Sequence, residues 1–280
     1  MTVRTLTCQV QSVEDLTPDV FRVMLEGRAE AIAHAPGQYL ELAVDDETWV
    51  PFSIACADNG EGRLELHIQH WPERTHSARL REMLTHPARL SVRLPSGGCY
   101  LPPASEAPLM LIGAGTGFAQ MKAIVEAALA ENPARDIAIW WAVRERRDLY
   151  AEDLARGWAL DHPNVVFHAI VESSEAELEP RDGIEWHRGR VDVVLASEVA
   201  SIDEREIYFA GSPGMVYACV DTLAAKGLNE AQCHSDVFDY APRVPFLPLP
   251  DGEPAREALS PGEALALEGN DPEAGAKDES

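Results

Sequence analysis

At 280 residues, with 46% hydrophobic side chains, the chain is long enough for two domains that each bury a sizeable core. Its formal charge of −24 excludes a nucleic-acid partner, whose phosphates would be repelled. Five scattered cysteines with no C-x-x-C pair exclude a disulfide framework and an iron–sulfur cluster read from spacing.

Residues 5–100 read as short strands: Thr5–Val13, Val20–Leu25, Gln38–Val44, Leu64–Gln69 and Leu90–Leu94, separated by turn signals such as Asn59-Gly60-Glu61-Gly62 and Pro95-Ser96-Gly97-Gly98. In Arg63–Gln69 apolar and polar residues alternate, which predicts one buried and one wet face. Only Ser77–Thr85 has a helical pattern in this half. Antiparallel strands at this spacing predict a Greek-key β-barrel. His67 and His70, three apart on a strand, point to opposite faces and make no metal pair, so no metal site is expected.

The rhythm changes after Pro102-Pro103-Ala104-Ser105. Strands Leu109–Ile112, Ile137–Val143, Val165–Val171 and Ile207–Ala210 alternate with helical stretches Phe118–Glu131, Asp148–Leu160, Val191–Ala196 and Pro213–Lys226. That alternation predicts a parallel-sheet α/β domain. The expected division is 1–103 for the barrel, 104–240 for the α/β domain, and 241–280 for a Pro-rich linker and an acidic tail. The segment after Tyr240 reads as extended polyproline. Residues 251–280 carry nine acids against Arg256 and Lys277 and read as disordered, leaving about −17 on the rest. Without a secretory leader or a run of ~20 apolar residues, no membrane span and a cytoplasmic location are expected.

The most informative stretch is Leu109–Phe118. Four apolar residues end in Gly113, Gly115 and Gly117, and a helix follows whose Met121, Ile124, Val125 and Leu129 share one face. Strand, glycine turn and helix in that order gather backbone N–H groups and a positive dipole end at one spot, which suits a phosphate. The spacing is G-x-G-x-G, not G-x-G-x-x-G, and an ordinary glycine-rich turn has the same appearance.

Taken with Ala35-Pro36-Gly37-Gln38-Tyr39, Val50-Pro51-Phe52-Ser53-Ile54-Ala55, Ala210-Gly211-Ser212-Pro213-Gly214-Met215 and the closing Ser235-Asp236-Val237-Phe238-Asp239-Tyr240, this stretch resembles the ferredoxin–NADP⁺ reductase superfamily, most of all its NAD(P)H:flavin oxidoreductases. The resemblance implies a flavin-binding barrel, a pyridine-nucleotide domain, and redox chemistry in the cleft between them. It places Pro51 and Phe52 along the isoalloxazine and ribityl chain and Ser53, the catalytic candidate, near flavin N5. A strand offers backbone groups to the flavin edge, and a hydroxyl can polarise N5. His67 and Ile68 are further cofactor-binding candidates. Gly113, Gly115, Thr116 and Gly117 would take the pyrophosphate, Arg144 the ribose or its phosphate, and Ala210, Gly211 and Met215 would line the nicotinamide pocket. Phe238 and Tyr240 are placed either beside the flavin or beneath the last strand.

Two departures stand out. Val50 occupies the position of the family's usual arginine, and losing that charged hydrogen bond weakens flavin binding by about 1.5–3 kcal/mol, or 10- to 100-fold. Arg74, Arg79 and Arg81 are the candidates to replace it. Gln120 stands where proline is frequent. The expected activity is NAD(P)H-dependent flavin reduction, hydride passing from nicotinamide to FAD, FMN or a diffusible flavin. Reduced flavin, or its electrons, would go to a separate acceptor such as a monooxygenase. An FAD-bound reductase serving a ferredoxin or oxygenase, and a non-enzymatic sensor on the same fold, are the alternatives. Arg144, Arg146 and Arg147 favour NADPH and Glu145 favours NADH, so the nucleotide stays open.

Overall fold

The computed structural model describes residues 2–70, 75–85, 89–175 and 177–248. Arg74 and the acidic tail lie outside them.

The first six strands are β1 (Arg4–Asp15), β2 (Val20–Glu26), β3 (Tyr39–Ala43), β4 (Trp49–Ser53), β5 (Arg63–Gln69) and β6 (Arg89–Ser96), with helices α1 (Ala29–Ile32) and α2 (Thr75–Thr85) between them. They form one antiparallel sheet in the order β4-β3-β6-β1-β2-β5. The neighbours β3, β6 and β1 are far apart in sequence, which is the Greek-key crossover. The two edge strands meet through the Ile54–Leu66 bridge and the Ala55 N–H, which donates to the Glu65 carbonyl at 2.7 Å. Val23, Leu25, Leu40, Leu42, Leu64, Leu66 and Val92 fill the interior with no solvent exposure, each contributing about 1.5–3 kcal/mol by burial.

The second sheet is parallel: β7 (Leu109–Ala114), β8 (Ile137–Val143), β9 (Val165–Val171), β10 (Glu185–Arg188), β11 (Glu206–Ala210) and β12 (Cys233–His234), in the order β10-β9-β8-β7-β11-β12. Helices α3 (Phe118–Glu131) and α4 (Glu152–Asp161) pack on one face, α5 (Val191–Glu198) and α6 (Pro213–Ala224) on the other, and α7 (Val237–Tyr240) follows β12. The strand order reverses at β7. The crevice at the carboxyl ends of β7 and β11 is therefore the place where such a sheet receives a ligand.

Three local expectations change. Glu65 and His67, the polar positions of β5, are buried, because α3 and Tyr150 of the second domain cover the face that alternation assigns to water. The predicted helix from Asp148 begins at Glu152; a tight turn at Arg146–Asp148 comes first, closed by reciprocal side-chain bonds of Glu145 and Asp148. The proline-rich segment folds back, with Phe246 and Leu247 packed on the α5–α6 core, Arg243 paired with Asp221 at 2.7 Å and the Tyr217 hydroxyl donating to the Ala241 carbonyl at 2.8 Å. An extended, solvated segment would leave those two apolar side chains in water.

No helix among the described residues is long and apolar enough to cross a membrane. All five cysteines carry free thiols. Burial pushes Cys8 and Cys56 up to about 11 and Cys233 up to about 12, and raises Cys99 and Cys219 as well.

Candidate active site

The barrel edge and the crevice of the parallel sheet share one cleft of about 830 Å³, within the range of small-molecule sites. On the barrel side its wall is Pro51, Phe52 and Ser53 of β4, with His67 and Gln69 of β5 opposite. These strands diverge beyond the Ile54–Leu66 bridge, and β4 is paired by β3 on one side only. Its other edge offers main-chain donors and acceptors, which suits the polar rim of a flat heterocycle.

On the nucleotide side the floor is Gly115, Thr116 and Gly117, a single tight turn leading into α3. Gly115 has φ +54, a conformation glycine takes at no steric cost. A Cβ on Gly117 would stand 2.2 Å from the Ala210 carbonyl oxygen, so the turn lies directly against β11. Ala210 and Gly211 continue the wall. Ser212 then caps α6, its Oγ accepting the Met215 N–H at 3.4 Å, with Pro213 in the first helical turn. Two helix N-termini thus border the cleft.

Tyr240, half exposed, stands at the rim. Other predicted residues lie elsewhere. Gly113 serves packing: a Cβ there would meet the Met121 side chain at 2.6 Å. Ile68 points into the barrel core. Phe238 packs against Phe209, Tyr217 and Phe246. Met215 faces a smaller neighbouring pocket of about 300 Å³ beside Arg190 and Glu172. Arg144 is exposed on the loop after β8, whereas Arg146 is held against Trp186 and bonds the Glu177 carbonyl.

Among the described residues no lysine or arginine lines the cleft, while Glu41, Asp236 and Asp239 do. Val50 is opposite Leu42 of β3, so it shares the barrel-facing side. Neither described candidate for the missing cation reaches the cleft: Arg79 pairs with Asp45 at 3.4 Å and Arg81 with Asp15 at 2.6 Å.

Sequence reasoning missed Asp236. Its carboxylate takes hydrogen bonds from the Cys99 N–H (3.3 Å) and from Gln120 Nε2 (3.1 Å), and the same Gln120 amide donates to the Gly37 carbonyl at 2.6 Å. Gln120 therefore fastens the first domain, α3 and the C-terminal loop together. No local pattern could have revealed contacts over such separations. Burial pushes Asp236 up to about 6 in spite of those donors. A carboxyl group raised by folding stabilises at low pH, and that contribution is lost as pH rises through about 6. The expected result is a fall in unfolding free energy between pH 4 and 6 in chemical denaturation, a slope that Asp236→Asn removes. An unchanged slope in the variant would assign the titration to another group.

Across this cleft a barrel edge strand faces a glycine turn at the reversal point of the parallel sheet. Residues 7–100 match the oxidoreductase FAD-binding domain family, and residues 111–221 match the oxidoreductase NAD-binding domain family. Together the two matches lay an FAD-binding and then an NAD-binding oxidoreductase domain over most of the chain. It is 28% identical over 212 residues to the NAD(P)H-flavin reductase of Vibrio harveyi, covering 74% of this chain and 86% of that one. It is 26% identical over 236 residues to the CDP-6-deoxy-L-threo-D-glycero-4-hexulose-3-dehydrase reductase of Yersinia pestis, covering 84% and 69%. Among solved structures, a cytochrome P450 reductase of Amycolatopsis superimposes with a TM-score of 0.74 at 27% identity, covering 88% of this chain and 71% of that one.

Proposed function

We propose that this chain is an NAD(P)H-dependent flavin reductase that uses flavin as an exchangeable substrate, with residues 1–103 receiving the flavin and 104–240 the nucleotide. The observation that carries the reading is the shared cleft, walled by Pro51–Ser53 on one side and Gly115–Gly117 on the other. The reaction moves a hydride, with its two electrons, from nicotinamide C4 to flavin N5, and solvent supplies the second proton of the reduced flavin.

The protein contributes position more than acid–base chemistry. The glycine turn and the start of α3 hold the pyrophosphate, Ala210 and Gly211 support the nicotinamide, and Ser53 presents its hydroxyl to the flavin. Tyr240 shields the cleft mouth from water. With only carboxylates among the charged groups that the described residues bring to the wall, a flavin phosphate gains no charge-assisted hydrogen bond from them. Turnover by release of reduced flavin to a separate acceptor follows, a monooxygenase being a chemically apt consumer. The name of the Yersinia pestis relative, a reductase for a dehydrase, supports delivery to a second protein. The acidic surface favours an acceptor with a basic face.

The test is NADH and NADPH oxidation with added riboflavin, FMN or FAD. The expected result is turnover with all three and flavin KM values within about tenfold of one another, since the phosphate adds little. Absence of turnover with every flavin would overturn the reading. A stoichiometric yellow flavin retained through purification would favour a bound-FAD electron-transfer reductase.

A further inference from the structure

Between the two sheets runs an unbroken path of side chains that the hydride step does not itself use. It begins at α3, where Lys122 Nζ donates to Glu65 Oε2 and to the Ala55 carbonyl, each at 2.9 Å, and pairs with Glu126. Glu65 Oε1 lies 2.9 Å from His67 Nε2. An ionised carboxylate only accepts, so Nε2 carries the hydrogen, and Nδ1 makes a second hydrogen bond with the Tyr150 hydroxyl at 3.1 Å. The Tyr150 ring stands edge-on to Trp141 (5.1 Å, 76°) and to Phe118 (6.0 Å, 86°). Trp141, wholly buried and stacked on Phe118 at 4.0 Å, donates its Nε1–H to the Gly115 carbonyl at 2.9 Å.

The last bond matters most. In a planar trans peptide the carbonyl and the next N–H point in opposite directions. Holding the Gly115 oxygen down against Trp141 therefore turns the Thr116 N–H up, toward the cleft that Gly115 and Thr116 line. The path touches one wall of the cleft at His67 and ends at the other, at Gly115.

We propose that Tyr150 and Trp141 are positioning residues that set the height of the nucleotide turn against the flavin strand, and so the distance the hydride crosses. This rests on the oxidoreductase reading above. The phenolic hydroxyl of Tyr150 reaches across the domain boundary to His67, whereas its ring packs within the second domain. Tyr150→Phe removes the first and keeps the second. Trp141→Phe likewise keeps a stacked ring and removes the hydrogen bond to Gly115.

The experiment compares wild type, Tyr150→Phe, Trp141→Phe and a control, Tyr217→Phe, which loses the hydroxyl bond to Ala241 on the far face of the sheet. Thermal unfolding, steady-state constants and the primary isotope effect with 4-deuterated NADH are measured for each. Tyr150→Phe is expected to lower kcat about tenfold and enlarge the isotope effect, with flavin KM unchanged. Trp141→Phe is expected to raise the NADH KM about three- to tenfold. Tyr217→Phe should lose comparable stability and keep wild-type kinetics. Wild-type kcat and isotope effect in Tyr150→Phe, or equal kinetic losses in Tyr217→Phe, would overturn the positioning role while leaving the activity standing. An inactive wild type would overturn both.

Discussion

A Gly117→Ala variant is expected to lose at least 100-fold in kcat/KM for NADH and to unfold more easily by about 1–3 kcal/mol. The methyl group would sit 2.2 Å from the Ala210 carbonyl oxygen and 2.8 Å from its carbon. Both are backbone atoms of β11 and have no rotamer by which to move aside. Relief requires the turn to lift from the strand, and overpacking of this kind costs about 1–3 kcal/mol. Displacing a positioned reactant by roughly 1 Å costs about 10²-fold in rate. Gly115→Ala is the comparison. It has open space around the added methyl but φ +54, so it meets only backbone strain of about 1–2 kcal/mol. Its kinetic loss should be much smaller than that of Gly117→Ala. A wild-type NADH KM in Gly117→Ala would show that the turn is not the nucleotide floor.

Lys122→Met is expected to destabilise the chain by about 3–5 kcal/mol, the usual result of stranding one charge of a buried pair. Lys122 and Glu65 are 9% and 11% exposed in their side chains, and methionine leaves Glu65 with His67 alone. Glu65→Leu added to Lys122→Met should restore part of the loss, because the second change removes the stranded charge. Burial alone would raise Glu65. The hydrogen bonds from His67 and Lys122, with the Lys122 charge, outweigh it and hold the carboxyl at about 2, against an ordinary value of 4.5. A depressed carboxyl contributes stability above its unfolded value and loses it as pH falls through the folded one. The contribution is about 3 kcal/mol, complete above pH 4.5 and gone near pH 2. Burial has the opposite outcome at Glu126, which is raised despite the same lysine. Denaturation at a series of pH values should show the acid-side slope in wild type and lose it in Glu65→Gln. An unaltered slope would assign acid lability elsewhere.

Elements with a local signature are legible in the sequence itself. Leu109–Ile112 has no charge to place in water, and Phe118–Glu131 has one apolar face, so β7 and α3 fall where the pattern puts them. The strands that escaped notice, Glu185–Arg188 and Cys233–His234, are short and poor in apolar alternation. They exist because β9 and β11 leave edges open to main-chain pairing. The barrel strand Arg63–Gln69 was located, yet its polar face was misjudged. Whether Glu65 meets water or Lys122 depends on how the second domain docks, and no spacing within β5 encodes that. Within the cleft the same division holds. Ser53 and the glycine turn announce themselves in short motifs, while Asp236 comes to the wall through Cys99 and Gln120, far away in the chain. Val50 was visible as a departure, but its consequence, a cleft without a cation among the described residues, needed the third dimension.

The raised thiols of this protein have a bearing on its working life. Reduced flavin that escapes its acceptor reacts with dioxygen and yields hydrogen peroxide, so an enzyme of this kind makes an oxidant within reach of its own surface. Peroxide attacks thiolates, and a cysteine held at about 11 is ionised in only about one molecule in ten thousand at neutral pH. The five sulfurs are therefore chemically quiet, and repeated turnover in air should leave them unoxidised.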